Sequence, residues 1–289
     1  MGSLDLESVL SRQHEGRTQS VVLPVTASMR FRSRHTILTS PNVGAVVRGA
    51  DPILNDEYVV YTAHLDHLGR GRPVDGDDIY NGAIDNASGV AAMLAVARAV
   101  VSLPERPRRS ILFLATTGEE AGMLGSKYFT AQSSVPLANI VAVLNIDGAT
   151  LMRYALYRVT ARGGEHSTLG LTAESAARRL KLELTQATAG PIASDHGPFL
   201  LRGTPVLWVT AAADTGRPDI DGEKLRTDWM AQIYHTPKDD LNQPLDFEPA
   251  ATLAQLNFLI GYQVAQDEER PRWKPGDFFG EKFGGSRLK

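Results

Sequence analysis

Acidic and histidine side chains follow three separate apolar segments of this sequence, at the point where each segment ends. His64 closes the first segment, Glu119 and Glu120 follow the second, and Asp147 follows the third. Carboxylates gathered in one place repel each other unless protons or a cation neutralise them. A set of His, Asp and Glu without thiolates suits zinc and, less selectively, manganese or cobalt. The pattern therefore predicts a metal site if the three segments meet.

The three segments are predicted to be buried strands, because each is a short run of aliphatic and β-branched residues. Helices are predicted between them, and strands that alternate with helices indicate an α/β fold. We expect three layers, α/β/α, with a central mixed sheet that is mostly parallel. In such sheets ligands bind at the carboxyl ends of the strands. The predicted strands lie at 43–47, 57–63, 110–117, 139–146 and 205–210, and the predicted helices at about 87–100, 168–181 and 248–266.

The composition excludes several classes of function. The 289 residues carry a formal net charge of -3, so no basic excess is present to neutralise phosphates, and nucleic acid is not an expected partner. The chain contains no cysteine, which removes disulfides, thiolate metal sites and cysteine nucleophiles together. No apolar run reaches the roughly 20 residues that span a bilayer, so no membrane span is predicted.

Five short motifs, in this order, carry a specific resemblance to a known family. They are 58–66 (YVVYTAHLD), 82–89 (GAIDNASG), 117–120 (TGEE), 145–147 (NID) and 234–237 (YHTP). Together they resemble the M28 family of zinc peptidases, whose bacterial members include di-zinc leucyl-type aminopeptidases and to which glutaminyl cyclases are related. The resemblance spans about residues 42–265 and implies the zinc-peptidase type of α/β/α fold.

The resemblance also implies a role for each matching residue. Two zinc ions would be bound, with Asp85 bridging both. The remaining ligands would be His64 and Asp147 for one ion, and Glu120 and His235 for the other. Peptides with a free N-terminus would be the substrates, which makes the implied enzyme a zinc-dependent aminopeptidase.

Two further acids have implied roles in catalysis. Glu119 adjoins a ligand without being one, and would act as the general base that takes a proton from water and passes it to the leaving amine. Asp66 would accept a hydrogen bond from the His64 ring and fix its tautomer. His67 is not a ligand in the family pattern, so a role in the loop or in support of a ligand is expected.

The segment Ser194-Asp195-His196 contains the residue types of a hydrolase triad. The three residues are adjacent in sequence, which does not give the geometry of a serine nucleophile. Similar segments occur near the active site in the resembled family. We therefore expect this segment to support the pocket.

Residues 42–289 are predicted to form the catalytic domain, and the role of 1–41 is unclear. Residues 1–41 are too short for the whole protease-associated domain that many relatives carry. The resemblance suggests that they are a remnant of such an inserted domain or of a preceding domain. The tail beyond Arg270 is expected on the surface. The first residues lack the pattern of a signal peptide. The sequence therefore does not fix the cellular compartment, although the resemblance implies a secreted or periplasmic location. It does not fix the oligomeric state either.

Two other functions remain in view. A glutaminyl cyclase has a similar fold and keeps the paired glutamates, but works with a single zinc and, in animal forms, does not keep the first histidine as a ligand. A catalytically inactive binding domain on the same fold would have lost ligands or the base. His64, Asp66 and Glu119 are all present, which favours hydrolysis over both alternatives.

Overall fold

The computed structural model describes residues 26–148, 156–187 and 192–284. Its strands are β1 (Val43–Val47), β2 (Tyr58–His64), β3 (Gly69–Val74), β4 (Asp77–Tyr80), β5 (Ser110–Thr116), β6 (Ile140–Asn145), β7 (Arg158–Arg162), β8 (Glu183–Gln186) and β9 (Val206–Ala211). Its α-helices are α1 (Ser88–Val101), α2 (Leu124–Ala131), α3 (Leu169–Arg179), α4 (His196–Leu200), α5 (Gly222–Gln232), α6 (Phe247–Gln266) and α7 (Phe278–Phe283), and a π-helical turn, Ala83–Ala87, leads into α1.

Seven of these strands form one mixed sheet in the order β1-β5-β2-β6-β9-β7-β8. The pairs β2–β5, β2–β6, β6–β9 and β7–β8 are parallel, whereas β1–β5 and β7–β9 are antiparallel. The predicted mixed, mostly parallel sheet is therefore confirmed. The remaining strands, β3 and β4, form a separate hairpin in a segment between two predicted elements.

Both faces of the sheet are covered, because alternate residues of the central strands enter two different apolar clusters. Tyr61 of β2 packs in the cluster that contains residues of α1, α3 and α6. Its neighbour Val60 faces the other way, towards Phe129 of α2 and Phe199 of α4. All seven residues of β2 are buried, as expected for a central strand between two helical layers. The three-layer α/β/α architecture is confirmed.

The order β5-β2-β6 brings the three strand ends of the sequence analysis to one edge. The three strands run parallel, so their carboxyl ends meet. His64 is the last residue of β2, Glu119 and Glu120 follow β5, and Asp147 follows β6. The predicted convergence of these residues is therefore a property of the fold.

The prediction that the tail lies on the surface is wrong for part of it. Phe279 of α7 is only 9% exposed and joins the apolar cluster on the α2 and α4 face, where Trp273 and Phe283 also pack. The Gly- and Lys-rich composition suggested solvent exposure, but the aromatic residues between the polar ones supply enough apolar surface to pack on the core.

The chain divides into two compact units, Met1–Thr39 and Ser40–Lys289. In the first, residues 26–39 are exposed and contain neither helix nor strand. The structure does not test the expectation that 1–41 is a remnant of another domain or segment.

In the second unit, the helical stretch Ala83–Val101 is long and apolar enough by composition to cross a membrane, but half of it is buried within the fold. Residues of this stretch, such as Met93 and Val96, pack in the apolar cluster against the sheet.

Candidate metal centre

Three ligand atoms converge where β2 and β6 end. His64 Nε2 lies 3.1 Å from Asp85 Oδ1 and 3.2 Å from Asp147 Oδ1. The three side chains each offer one atom within 4.8 Å of the others, which is the spacing of ligands around one metal ion. His64 is 1% exposed, Asp85 5% and Asp147 9%, so the group is withdrawn from bulk water.

A second group shares Asp85 with the first. Asp85, Glu120 and His67 also offer ligand atoms within 4.8 Å of one another. His235 Nε2 reaches the same place, 3.1 Å from Glu120 Oε2 and 3.3 Å from Asp85 Oδ2. The structure therefore brings together all five residues that the sequence analysis expects as ligands. It also adds His67, whose Nδ1 lies 2.8 Å from Glu120 Oε1.

Unsatisfied polar atoms indicate that this second group fits a cation. Both ring nitrogens of His67, Glu120 Oε1 and His235 Nε2 are buried and make no hydrogen bond within the described chain. Buried polar groups are rarely left without a partner, because their desolvation is costly. The Glu120 carboxylate lies 2.8 Å from His67 Nδ1 and 3.1 Å from His235 Nε2 without the directions of a hydrogen bond, as expected of ligand atoms around a shared cation. The donor set of imidazoles and carboxylates suits zinc.

The main chain at Asp85 is held by an acid that the sequence analysis missed. Asp239 is completely buried and accepts hydrogen bonds from the main-chain N–H groups of Ile84 and Asp85, at 2.8 and 3.0 Å. It comes four residues after His235 in the same loop. That loop therefore supplies one candidate ligand and also positions another. The sequence feature that could have indicated this role is the position of Asp239, an acid four residues after the motif histidine His235.

Asn86 joins the two segments that carry Asp85 and Asp147. Its Nδ2 donates to the main-chain oxygen of Ile146, and its Oδ1 accepts from the N–H groups of Gly89 and Gly148. A side chain at Gly89 would collide with Asn86 Oδ1 and Ile146 O, at 2.1 and 2.4 Å from an added Cβ. The glycine at the start of α1 thus permits the approach that sets the distance between two ligands.

Asp66 lies between His64 and Glu119. His64 Nδ1 is 3.0 Å from the main-chain oxygen of Asp66 and 4.0 Å from its carboxylate, so the main-chain oxygen is the nearer acceptor. The Asp66 carboxylate accepts from the main-chain N–H of Glu119 at 3.4 Å. Either partner of Nδ1 would leave Nε2 as the nitrogen that carries a lone pair towards the ligand group.

The segment Ser194-Asp195-His196 lies beneath the first ligand group. The Ser194 hydroxyl donates to the Asp147 carboxylate, so it supports a candidate ligand. Asp195 is buried and accepts from the hydroxyls of Thr116 and Ser126. These contacts agree with the supporting role expected from the sequence.

The histidine and the carboxylates of the first ligand group shift each other's pKa values. Burial opposes a charge on His64, but hydrogen bonds and attraction to Asp147 and Asp85 outweigh it and raise the pKa of His64 to about 12. Burial also disfavours the charged form of Asp147, yet its contact with His64 lowers the pKa of Asp147 below the usual value. Both shifts have the same cause, namely that the carboxylates of this site require a positive charge beside them.

The pKa of Glu119 is shifted in the direction opposite to that of Asp147. Burial, followed by repulsion from Asp147, raises the pKa of the Glu119 carboxyl from 4.5 to about 8. A folded-state pKa above the unfolded value means that folding takes up a proton between these pH values. The stability contributed by this group is therefore present at low pH and is lost as the pH rises through about 8.

We expect this dependence to be measurable in chelator-treated protein. The melting temperature of the parent chain should fall as the pH rises from about 5 to about 8, and Glu119→Gln should fall less, because glutamine does not ionise. Thermal melts of both proteins across this pH range test the shift. Parallel profiles for the two proteins would show that Glu119 has an ordinary pKa.

Comparisons with known proteins agree with this fold. The solved structure of a peptidase M28 precursor from Shewanella amazonensis superposes with a TM-score of 0.61 at 24% identity, over 81% of this chain and 47% of that chain. Among curated proteins, a probable zinc metalloprotease of Leptosphaeria maculans is 26% identical over 89% of this chain. The aminopeptidase YwaD of Bacillus subtilis is 24% identical over 81% of this chain.

The chain spans only 64% and 47% of the lengths of these two curated relatives. The family profile is the more general finding, because it covers most of the chain. The profile of Peptidase family M28 matches residues 42–258, which include both ligand groups and Glu119. The resemblance inferred from the five motifs is thereby confirmed, and the chain belongs to Peptidase family M28.

Proposed function

We propose that this chain is an aminopeptidase that uses two zinc ions and a glutamate base. One observation carries the proposal: two groups of ligand atoms share Asp85, and a further carboxylate, Glu119, belongs to neither group but lines a cavity together with Asp85 and Asp147. A shared carboxylate is what a two-metal site requires, and a separate acid beside it is what proton transfer requires.

The proposed ligands of one ion are His64, Asp85 and Asp147, and those of the other are Asp85, Glu120 and His235. His67 contacts Glu120 and would hold that carboxylate in place or join it as a ligand. Bound zinc ions would supply Lewis acidity for the scissile carbonyl and would lower the pKa of water. The remaining steps belong to side chains of the protein.

Glu119 is the proposed general base. Its carboxylate would take a proton from the attacking water and transfer it to the nitrogen of the leaving amine as the peptide bond breaks. The contact of its main-chain N–H with Asp66 holds the start of the Glu119-Glu120 segment against the loop after β2.

Peptides with a free N-terminus are the proposed substrates. The positive α-amino group would be attracted by Glu119, which lines a cavity of about 520 Å³ beside the proposed ligands Asp85 and Asp147 and is not itself a ligand. Support also comes from the relatives, since the Bacillus subtilis protein is named an aminopeptidase and the Leptosphaeria maculans protein a probable zinc metalloprotease.

Removal of metal tests the proposal directly. Prolonged chelation should abolish the hydrolysis of aminoacyl-p-nitroanilides, and added zinc should restore it, because the ligands alone provide no electrophile. Release of p-nitroaniline and the metal content of the same samples should be measured together. Full activity in protein shown to be free of metal would contradict the proposal.

A further inference from the structure

The cavity beside the candidate metal centre has an unusual charge distribution. Asp85, Glu119 and Asp147 line one part of it, and two arginines, Arg162 and Arg226, line another together with one acid, Glu223. The first part suits a cationic amine and the metals. The second part has no role in the function proposed so far.

Arg162 is built into the wall of this cavity. It lies directly across from Trp208 in the antiparallel pair β7–β9, and its guanidinium carbon is 4.7 Å from the centre of the indole ring. Its Nη1 donates to Thr210 Oγ1 at 3.0 Å. The same indole donates from Nε1 to the main-chain oxygen of Asp147 at 3.0 Å. A single aromatic side chain therefore fixes the arginine relative to a candidate metal ligand.

No acid neutralises Arg162 within the described part of the chain. Its neighbour on the same strand, Arg158, pairs with Glu183 at 2.5 Å and Asp214 at 2.6 Å. No described carboxylate oxygen comes within 4.0 Å of the Arg162 guanidinium, and Glu165 attracts it only from farther away. Arg162 is partly buried, and burial of a cation without a carboxylate partner carries a cost, so a partner for this group would be stabilising.

Arg226 adds to this cost. Arg226 lines the same cavity. The pKa of Arg162 is lowered first by the burial of Arg162 itself and second by the positive charge of Arg226. Its partner is Glu223 on the same helix, at 3.5 Å, in an exposed pair that contributes little. Two guanidinium groups that line one cavity repel each other, and an anion bound beside them would relieve the repulsion.

We propose that Arg162 binds a carboxylate of the substrate, with Arg226 assisting, and so selects acidic substrates. Two sources offer this chemistry: the side chain of an N-terminal glutamate or aspartate, and the terminal carboxylate of a dipeptide. A guanidinium offers paired N–H donors that match either carboxylate. The inference rests on the proposed peptidase function, because it assigns the substrate class of the same site.

Two matched pairs of peptides test the inference on the zinc-loaded protein. The first pair is glutamyl-alanyl-alanine amide and its N-terminal glutamine analogue, and the second is leucyl-alanine and leucyl-alanine amide. We expect kcat/KM to favour the charged member of one pair by about 10-fold or more, the usual worth of a hydrogen bond to a charged group. A preference in the first pair identifies an acidic N-terminal side chain, and a preference in the second identifies a dipeptide terminus.

Arg162→Gln should bring that ratio close to one, and because the ratio compares two peptides on the same variant, any change in the overall rate cancels. Arg162→Lys should retain part of the preference, because the charge remains but the fork of donors is lost. Arg158→Gln is the matched control, since Arg158 lies on the same strand but is paired on the surface, and should leave the ratio unchanged. Ratios near one in the parent protein, or a preference that survives Arg162→Gln, would overturn the inference.

Binding separates this inference from the function on which it rests. Titration calorimetry of the same peptides against Glu119→Gln protein compares their affinities without requiring turnover. Hydrolysis of all four peptides without preference refutes the arginine site and leaves the peptidase intact. Tighter binding of the charged member, lost in the double variant with Arg162→Gln, supports the arginine site even if no peptide is cleaved.

Discussion

Replacing Glu119 by glutamine should lower kcat by about 10²–10⁴-fold, the usual worth of a positioned general base, and leave the metal content unchanged. The reason is geometric: Glu119 borders the cavity, but its carboxylate belongs to neither group of converging ligand atoms. Glutamine keeps the shape of the side chain and removes its ability to accept a proton. Steady-state kinetics and elemental analysis of the same preparation measure both effects.

Glu120→Gln is the matched control, because it is the same change at the next residue. The Glu120 carboxylate contacts His67 at 2.8 Å and His235 at 3.1 Å, so its loss should weaken metal binding. The two variants should thus differ in kind: one retains metal with low turnover, whereas the other loses metal and regains activity with excess zinc. Near-normal turnover in Glu119→Gln, or loss of its metal, would show that the two roles are wrongly assigned.

The sequence was sufficient to predict which strands carry the site. Apolar runs that end in ionisable residues indicated β2, β5 and β6, and parallel pairing necessarily brings their ends together. Asp85 and His235 required the family resemblance, because neither follows a predicted strand. Their place in the site depends on loops, whose paths are set by contacts such as the one between Asp239 and the main chain of Asp85.

The features that escaped prediction depend on pairings between distant parts of the chain. The pairing of β7 with β9 is antiparallel and places Arg162 across from Trp208, but nothing in the local pattern of either segment fixes that register. His67 was expected in a loop or a supporting role, and its contact with Glu120 joins two loops that are separated by about fifty residues. The burial of Phe279 likewise depends on a surface formed by α2 and α4.

The purified protein should bind close to two zinc ions per chain, and His64→Ala should reduce that number towards one. His64 Nε2 lies 3.1 Å from Asp85 and 3.2 Å from Asp147, so its removal leaves the first group with only two carboxylates. The second group keeps Asp85, Glu120 and His235. Loss of one ligand from a three-residue site should largely abolish binding there, because zinc sites with three protein ligands are already at the lower limit.

His166→Ala is the control for this experiment. His166 contacts Asp277 at 2.7 Å and belongs to neither ligand group, so the variant should retain two ions. Elemental analysis and calorimetric titration of metal-free protein with zinc give the stoichiometry of each variant. Both measurements are independent of any assumption about the substrate.

The same stoichiometry decides between peptidase and cyclase. Glutaminyl cyclases, to which the resembled family is related, have a similar fold, so the fold alone does not separate the two reactions. Two ions are expected to accompany release of amino acids from unblocked peptides, with little cyclisation of N-terminal glutamine. A single zinc per chain together with pyroglutamate as the product would replace the aminopeptidase assignment by that of a cyclase. Two ions that depend on His64, with free amino acids as the product, would establish that the first ligand group serves hydrolysis.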